Sequence, residues 1–185
     1  SSATGTGNVV ISAATTLDLN AYNFGSSYLV SKPSLTMSGT GTSASTLATL
    51  TNSSTSTDVT VYGAVSLTKN GNGLYDIISQ ATGKTLTMNG VISDGSGSTA
   101  TQLQIGSSGN TGTVILGAAN TYTGGTTVAY GTLKLGAGPL CTGSVACDGS
   151  HTTLYSSATG TGNVVISAAT TLAVSYTHLT LPTIL

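Results

Sequence analysis

The sequence has no Arg, no Glu and no Trp, and only four Lys and five Asp among its 185 residues. A protein that binds the phosphate backbone of a nucleic acid needs a clustered basic surface, and dispersed Lys residues do not form one. No segment approaches the roughly 20 consecutive apolar residues of a membrane helix. We therefore expect no nucleic-acid partner and no membrane span in this chain.

Strong helix formers are also scarce, whereas the chain contains 36 Thr, 26 Ser and 25 Gly. β-Branched Thr is favoured in strands, and Gly and Ser are favoured in turns. The length suits one domain with its own core. The composition thus predicts a single all-β domain.

Eight short segments have an apolar residue at both ends, and in seven of them the middle residue is polar or charged, which is the pattern of a strand that buries one face. Four spacings between these segments are similar: 18 positions from Leu17 to Leu35, 21 from Val65 to Leu86, 17 from Leu86 to Leu103 and 19 from Val114 to Leu133. A loose repeat of this kind predicts a parallel β-helix, with about seven to nine coils in a chain of this length. The segments are Leu17-Asp18-Leu19, Leu35-Thr36-Met37, Val59-Thr60-Val61, Val65-Ser66-Leu67, Leu86-Thr87-Met88, Leu103-Gln104-Ile105, Val114-Ile115-Leu116 and Leu133-Lys134-Leu135.

The alternative architecture is an antiparallel β-sandwich, whose strands recur every 8 to 12 residues and are joined by tight hairpins. The short spacing from Val59 to Val65 suits it. Asn70-Gly71 and Asn89-Gly90 are both dipeptides that close two-residue hairpins.

The segment GTVILGAANTYTGGTTVAYGTLKLGAGPL, residues 112–140, resembles the passenger-associated repeat of bacterial autotransporters. The resemblance is best over residues 86–150 and implies a right-handed, single-stranded parallel β-helix that is exported and displayed at, or released from, a bacterial surface. It also implies a C-terminal translocator barrel and an export signal, both outside this chain. Cys141 and Cys147 depart from the family, whose passengers are usually poor in cysteine. The residues that carry the motif are Asn120, Tyr122, Gly124, Gly125, Val128, Gly131 and Leu133.

Alternation within this segment predicts which side chains point inward. Thr127 and Lys134 are expected to face solvent, and Gly124-Gly125 to form a corner with positive φ. Tyr122 is expected to pack at a corner, and Asn120 to stack on a polar side chain one coil away. The expected inward residues are Val114, Leu116, Val128, Leu133 and Leu135.

Residues suited to catalysis or metal binding are dispersed. Asp58, Asp76 and Asp94 are 18 positions apart, but their positions relative to the strands differ, so we expect them at different corners. Cys141 and Cys147 are candidates for a disulfide, and with His151 they match no common zinc pattern. ATGKT, residues 81–85, lacks the first Gly of a phosphate-binding loop. The sequence predicts no enzyme and no cofactor.

The first 17 residues recur identically as residues 156–172. Either a unit of 155 residues is repeated in tandem in the parent protein, or the sequence was assembled from a duplicated read. The sequence therefore divides into a β-helix fragment over residues 1–172 and a tail over residues 173–185, where the second copy departs abruptly from the first. The tail VSYTHLTLPTIL resembles the translated sequencing-adaptor ends of some metagenomic reading frames, so we interpret it as non-native.

These observations favour a structural stalk in a secreted or surface-displayed passenger. The alternatives are an adhesin whose exposed face binds a glycan or a host protein, and, with less support, a polysaccharide lyase or hydrolase. An adhesin requires a clustered aromatic or apolar patch, and an enzyme requires converging acids.

Overall fold

The computed structural model describes residues 7–39, 47–68, 75–98, 100–136 and 164–174. These residues form strands and turns and contain no helix, so the predicted all-β class is confirmed. The strands are β1 (Val9–Ser12), β2 (Thr16–Asp18), β3 (Leu35–Ser38), β4 (Thr49–Asn52), β5 (Val59–Val61), β6 (Val65–Leu67), β7 (Tyr75–Met88), β8 (Ile92–Asp94), β9 (Gln102–Ile105), β10 (Thr111–Leu116), β11 (Thr126–Val128), β12 (Thr132–Leu135), β13 (Val164–Ile166) and β14 (Thr171–Val174).

All pairings between these strands are parallel, and they form three ladders. The first ladder is β1, β3, β6 and β8. The second is β2, β4, the first half of β7, β9, β11 and β13. The third is β5, the second half of β7, β10, β12 and β14.

The chain visits the three ladders in the same order each time, and we call one such visit a pass. β3, β4 and β5 form one complete pass, and β8, β9 and β10 form another. The long strand β7 continues from the second ladder into the third without a break. In the first pass Phe24 takes the place of a third-ladder strand, because it bridges to Val61.

The length of a pass differs from the spacing predicted from the sequence. Val65 pairs with Leu35, 30 positions earlier, and with Ile92, 27 positions later. Of the four similar spacings, only that from Val114 to Leu133 joins neighbouring strands of one ladder. The other three connect different ladders, because one pass carries more than one alternating segment. The described strands accordingly make six passes, fewer than the seven to nine expected.

The antiparallel alternative is not supported by the pairing of the described strands. Asn89-Gly90 does not close a hairpin, because it connects Met88 on the third ladder to Ile92 on the first. Asn70-Gly71 lies outside the described residues. The one antiparallel contact, between Ser107 and Asn110, is a bridge within the turn that joins β9 to β10.

The first and third residues of the eight segments form one continuous core. All of them are buried except Leu17, which is partly buried and packs against the core. Stacking carries this core from pass to pass, as where Leu86 lies between Val59 and Val114. Burying one such side chain stabilises the fold by about 1.5–3 kcal/mol, which is more than a typical exposed ion pair contributes to the free energy of unfolding. Apolar stacking therefore dominates the stability of a chain with so few charges.

The two copies of the repeated sequence have the same local structure in different places. Val9–Ser12 and Thr16–Asp18 lie on the first and second ladders, whereas Val164–Ile166 and Thr171–Val174 lie on the second and third. In both copies an alanine in the left-handed region turns the chain, Ala14 at φ 62° and Ala169 at φ 60°. The last strand extends to Val174, and the rest of the proposed tail lies outside the described residues.

Asp18 holds the end of the second strand against the next pass. Its carboxylate accepts hydrogen bonds from the Ser53 hydroxyl at 2.5 Å, the Ser53 amide at 3.0 Å and the Asn20 amide at 3.0 Å. Partial burial alone would raise its pKa, but these hydrogen bonds outweigh burial and the pKa of Asp18 is lowered. The second copy has Ala173 at this position and lacks the carboxylate.

We expect Asp18→Asn to lower the free energy of unfolding at neutral pH by about 1 kcal/mol, after allowance for the solvent exposure of the group. A lowered pKa in the folded state stabilises the fold above the unfolded pKa, near 3.8, and this stabilisation disappears as the pH falls through the folded value. The difference in free energy of unfolding between wild type and variant should therefore become smaller in acid. Urea unfolding at a series of pH values measures it. Asp58→Asn is the control, because Asp58 accepts one amide hydrogen bond through one oxygen, which Asn retains. A difference in free energy of unfolding that does not change with pH would contradict this account.

Candidate functional site

The residues from Ala118 to Gly136 form one pass of the body, although none of them belongs to a first-ladder strand. It begins beside β8, where the Thr121 amide donates to the Ile92 carbonyl at 2.8 Å. It then contributes β11 to the second ladder and β12 to the third. Asn120 is buried, and its Oδ1 accepts from the Ile92 amide at 2.7 Å. This hydrogen bond joins Asn120 to the backbone of the preceding pass. The expected stacking of Asn120 on a side chain one coil away stays a prediction.

Tyr122 is a packing residue, as predicted. Its side chain is fully buried, and its hydroxyl hydrogen-bonds Thr126, four positions later. Burial raises the pKa of the Tyr122 phenol, so the hydroxyl remains protonated. A buried, neutral phenol with a protein partner supports the corner and offers no platform for a ligand.

The remaining motif residues follow the predicted alternation. Lys134 is exposed and Thr127 is partly buried, while all five residues expected to point inward are buried. They are Val114, Leu116, Val128, Leu133 and Leu135.

The motif glycines are needed for a different reason from the one predicted. Neither Gly124 nor Gly125 has positive φ. A Cβ at Gly124 would instead lie 2.1 Å from the Thr101 carbonyl oxygen of the preceding pass. At Gly131 both reasons apply, since φ is 71° and a Cβ would lie 2.5 Å from the Gly112 oxygen. Close approach of backbone between passes thus selects glycine at the corners.

The three regularly spaced aspartates lie apart, as predicted. Asp58 precedes a third-ladder strand, Asp76 lies in β7 near the second ladder, and Asp94 ends β8 on the first. In the part of the chain that the structure describes, no three His, Cys, Asp or Glu residues are grouped to hold a metal ion. Cys141, Cys147 and His151 lie outside the described residues, so the disulfide and metal hypotheses for them stay predictions.

Asp94 bridges two passes. Its Oδ2 accepts from the Thr123 amide at 3.1 Å and the Thr123 hydroxyl at 2.6 Å, and its Oδ1 accepts from the Thr101 hydroxyl. Three donors hold the carboxylate in place at a corner. These contacts explain Asp94 as a structural residue.

A buried polar corner was missed in the sequence. Asn52 and Gln80 have no exposed surface, and the Asn52 amide donates to Gln80 Oε1 at 3.1 Å and to the Thr57 carbonyl at 3.2 Å. Beside them the Ser79 hydroxyl donates to Thr51 Oγ1 at 2.9 Å. Both side-chain pairs span 28 positions, which is the length of one pass here. That spacing would have revealed the corner had the length of a pass been known.

The most regular surface of the body is a column of threonines on the third ladder. Thr113 pairs in register with Thr85 on one side and Thr132 on the other, and Thr132 pairs with Thr171. Each side chain presents a hydroxyl and a methyl group, and the column contains no charge. Such a surface can form hydrogen bonds, but it has no acid or base to activate a nucleophile.

Comparisons with known proteins identified no family. A scan against protein-family models, a search of curated proteins and a search of solved structures each found no match. In the described ranges, no helix is long and apolar enough to cross a membrane.

We expect Gly124→Ala to destabilise the protein by about 2–3 kcal/mol, because the added methyl group must push Thr101 away and separate two passes. Gly83→Ala is the matched control. Gly83 has φ 78° with open space around it, so alanine there costs only backbone strain, about 1 kcal/mol. Chemical denaturation of both variants measures the difference, and an equal or larger loss for Gly83→Ala would contradict the close-approach explanation.

Proposed function

We propose that this chain is part of the passenger of an exported, autotransporter-like bacterial protein and acts there as a structural stalk. In this proposal the three ladders are the sides of a right-handed parallel β-helix. The observation that carries it is the in-register stacking of successive passes on all three ladders over one continuous core. Each additional pass then lengthens the body without changing its cross-section, which is what a spacer requires.

The surface chemistry supports a spacer. The Asp94 carboxylate and the polar side chains of the Asn52 corner have hydrogen-bond partners within the body. The column of threonines on the third ladder, which is partly exposed, presents hydroxyls and methyl groups and no charge. The proposed location is the bacterial surface or the medium, with the export signal and a translocator barrel supplied by segments outside this chain.

An adhesin is the second candidate, and a specific observation favours it. Tyr22 and Tyr28 are 51% and 95% exposed, and Val30 between β2 and β3 is fully exposed. Aromatic side chains at the surface can stack on sugars or on a partner protein. A glycan array tests this candidate, because an adhesin should lose binding on Tyr28→Ala with its melting temperature unchanged.

The stalk is tested by displaying one copy and two tandem copies of residues 1–172 between a surface anchor and a terminal epitope. We expect a rise of about 4.8 Å per pass, so that two copies place the epitope farther from the cell than one. Antibody access on cells with long surface polysaccharide reports this distance. Leu103→Asp is the control, because a charge in the buried core unfolds the body. Equal antibody access for one copy, two copies and the Leu103→Asp fusion would contradict the stalk.

We further expect purified protein to leave a panel of polysaccharides intact. Two acids that act together on a glycosidic bond lie within about 5–10 Å of each other, whereas Asp58, Asp76 and Asp94 belong to different ladders. Reducing-end assays measure the outcome. Turnover that is abolished by Asp76→Asn or Asp94→Asn, in variants that still fold, would establish the hydrolase or lyase alternative.

A further inference from the structure

Apolar exposure is concentrated at the two ends of the described body. Eight of its ten exposed large hydrophobic side chains lie in the first and last passes. At the last pass Val164, Ile166 and Leu172 are 37%, 41% and 37% exposed, although their partners one pass earlier are buried. The eight are Val10, Tyr22, Tyr28, Val30, Val164, Val165, Ile166 and Leu172.

The two copies of the repeated sequence form hydrogen bonds through opposite edges. In the first copy the Val9 amide donates to the Ser34 carbonyl of the next pass at 3.0 Å, and the Ala14 amide donates to the Leu47 carbonyl of that pass at 3.1 Å. The second copy instead donates to the preceding pass. There the Ser167 amide donates to Val128 at 3.0 Å and the Thr171 amide to Gly131 at 3.1 Å.

With respect to the described residues, each copy therefore leaves open the edge that the other one uses. Among the described strands, β1 and β2 pair only with β3 and β4, and β13 and β14 pair only with β11 and β12. Together the two copies demonstrate that one peptide can pair in parallel on both edges. Open parallel edges of this kind are templates for another chain.

We propose that this chain binds a second copy of itself head to tail through these edges. The β13 and β14 strands of one chain pair in parallel with β1 and β2 of the second copy. Val164 lies opposite Val9 of the second copy, and Leu172 lies opposite Leu17. The open amides of Val164 and Ala169 gain carbonyl partners, and the exposed apolar side chains of the last pass are covered.

The two edges have the same side-chain pattern, because residues 164–172 repeat residues 9–17. The repeated sequence begins on the first ladder at one end and on the second ladder at the other, so the second copy is turned by one ladder about the long axis. A head-to-tail contact of this type is heterologous and does not close, so it builds linear chains. This inference goes beyond the proposed stalk and does not depend on export.

Sedimentation velocity of the full chain over a wide concentration range tests the association. We expect oligomers that grow in steps of 18.1 kDa. Val164→Pro removes the amide that only an added chain would use, and proline is tolerated at the first residue of an edge strand. It should weaken association at least about tenfold, which is about 1.4 kcal/mol, and leave the melting temperature unchanged. A second variant, Ile166→Lys, should act in the same direction because its charge would be buried at the junction.

Val9→Pro is the matched control for stability. The same substitution in the same sequence removes the bond to Ser34, so it should lower the melting temperature. A full chain that stays monomeric at every concentration would overturn the proposal. Association that is unchanged in both Val164→Pro and Ile166→Lys would overturn it as well, since it would place the contact elsewhere.

Cross-linking tests the polarity of the contact. Val10 and Val165 are both exposed and would lie opposite each other across the junction. Two proteins are prepared, one with Val10→Cys and one with Val165→Cys, each with Cys141→Ser and Cys147→Ser. We expect mild oxidation to link the two proteins to each other when mixed, and neither protein to itself. Exclusive links between identical proteins would overturn the head-to-tail arrangement.

Discussion

The parallel, in-register pairing of each pass with the next is the interaction on which the rest of this structure depends. It stacks apolar side chains into one core, as at Leu86 between Val59 and Val114. It also brings backbone so close at the corners that only glycine fits at Gly124. Polar residues at other corners follow the same register, and the buried Asn52 and Gln80 become hydrogen-bond partners because their strands are neighbours.

Local structure was largely predictable from the sequence, whereas the order of stacking was not. Alternation identified the buried residues of most of the strands it covered, such as β3, β5 and β6, since burial of one strand face is a local property. The length of a pass was missed because turns of different length separate the strands and because β7 runs through a corner without a break. Gly124 illustrates the limit. Glycine is required at this position because the Thr101 backbone lies against it, and the two are close only in the folded chain.

The repeated 17-residue sequence separates local from global causes. Both copies form a strand, a turn at a left-handed alanine and a second strand, so the sequence itself determines this unit. The ladder on which the unit lies differs between the copies and is determined by the strands beside it. The candidate motif shows the same division, because its inward residues were predictable and the close approach of Gly124 to Thr101 was not.

The separation between paired strands has a consequence for folding. Ile78 pairs with Leu50 and Ile105, 28 and 27 positions away, and Val65 has partners at similar distances. The entropy lost on closing each such loop is about the same wherever folding starts, because this loss increases only slowly with the length of the loop. Folding can therefore nucleate in any interior pass and extend in both directions. Among the described passes, the first and the last have a described neighbour on one side only, so these two should form last and exchange their amide protons fastest.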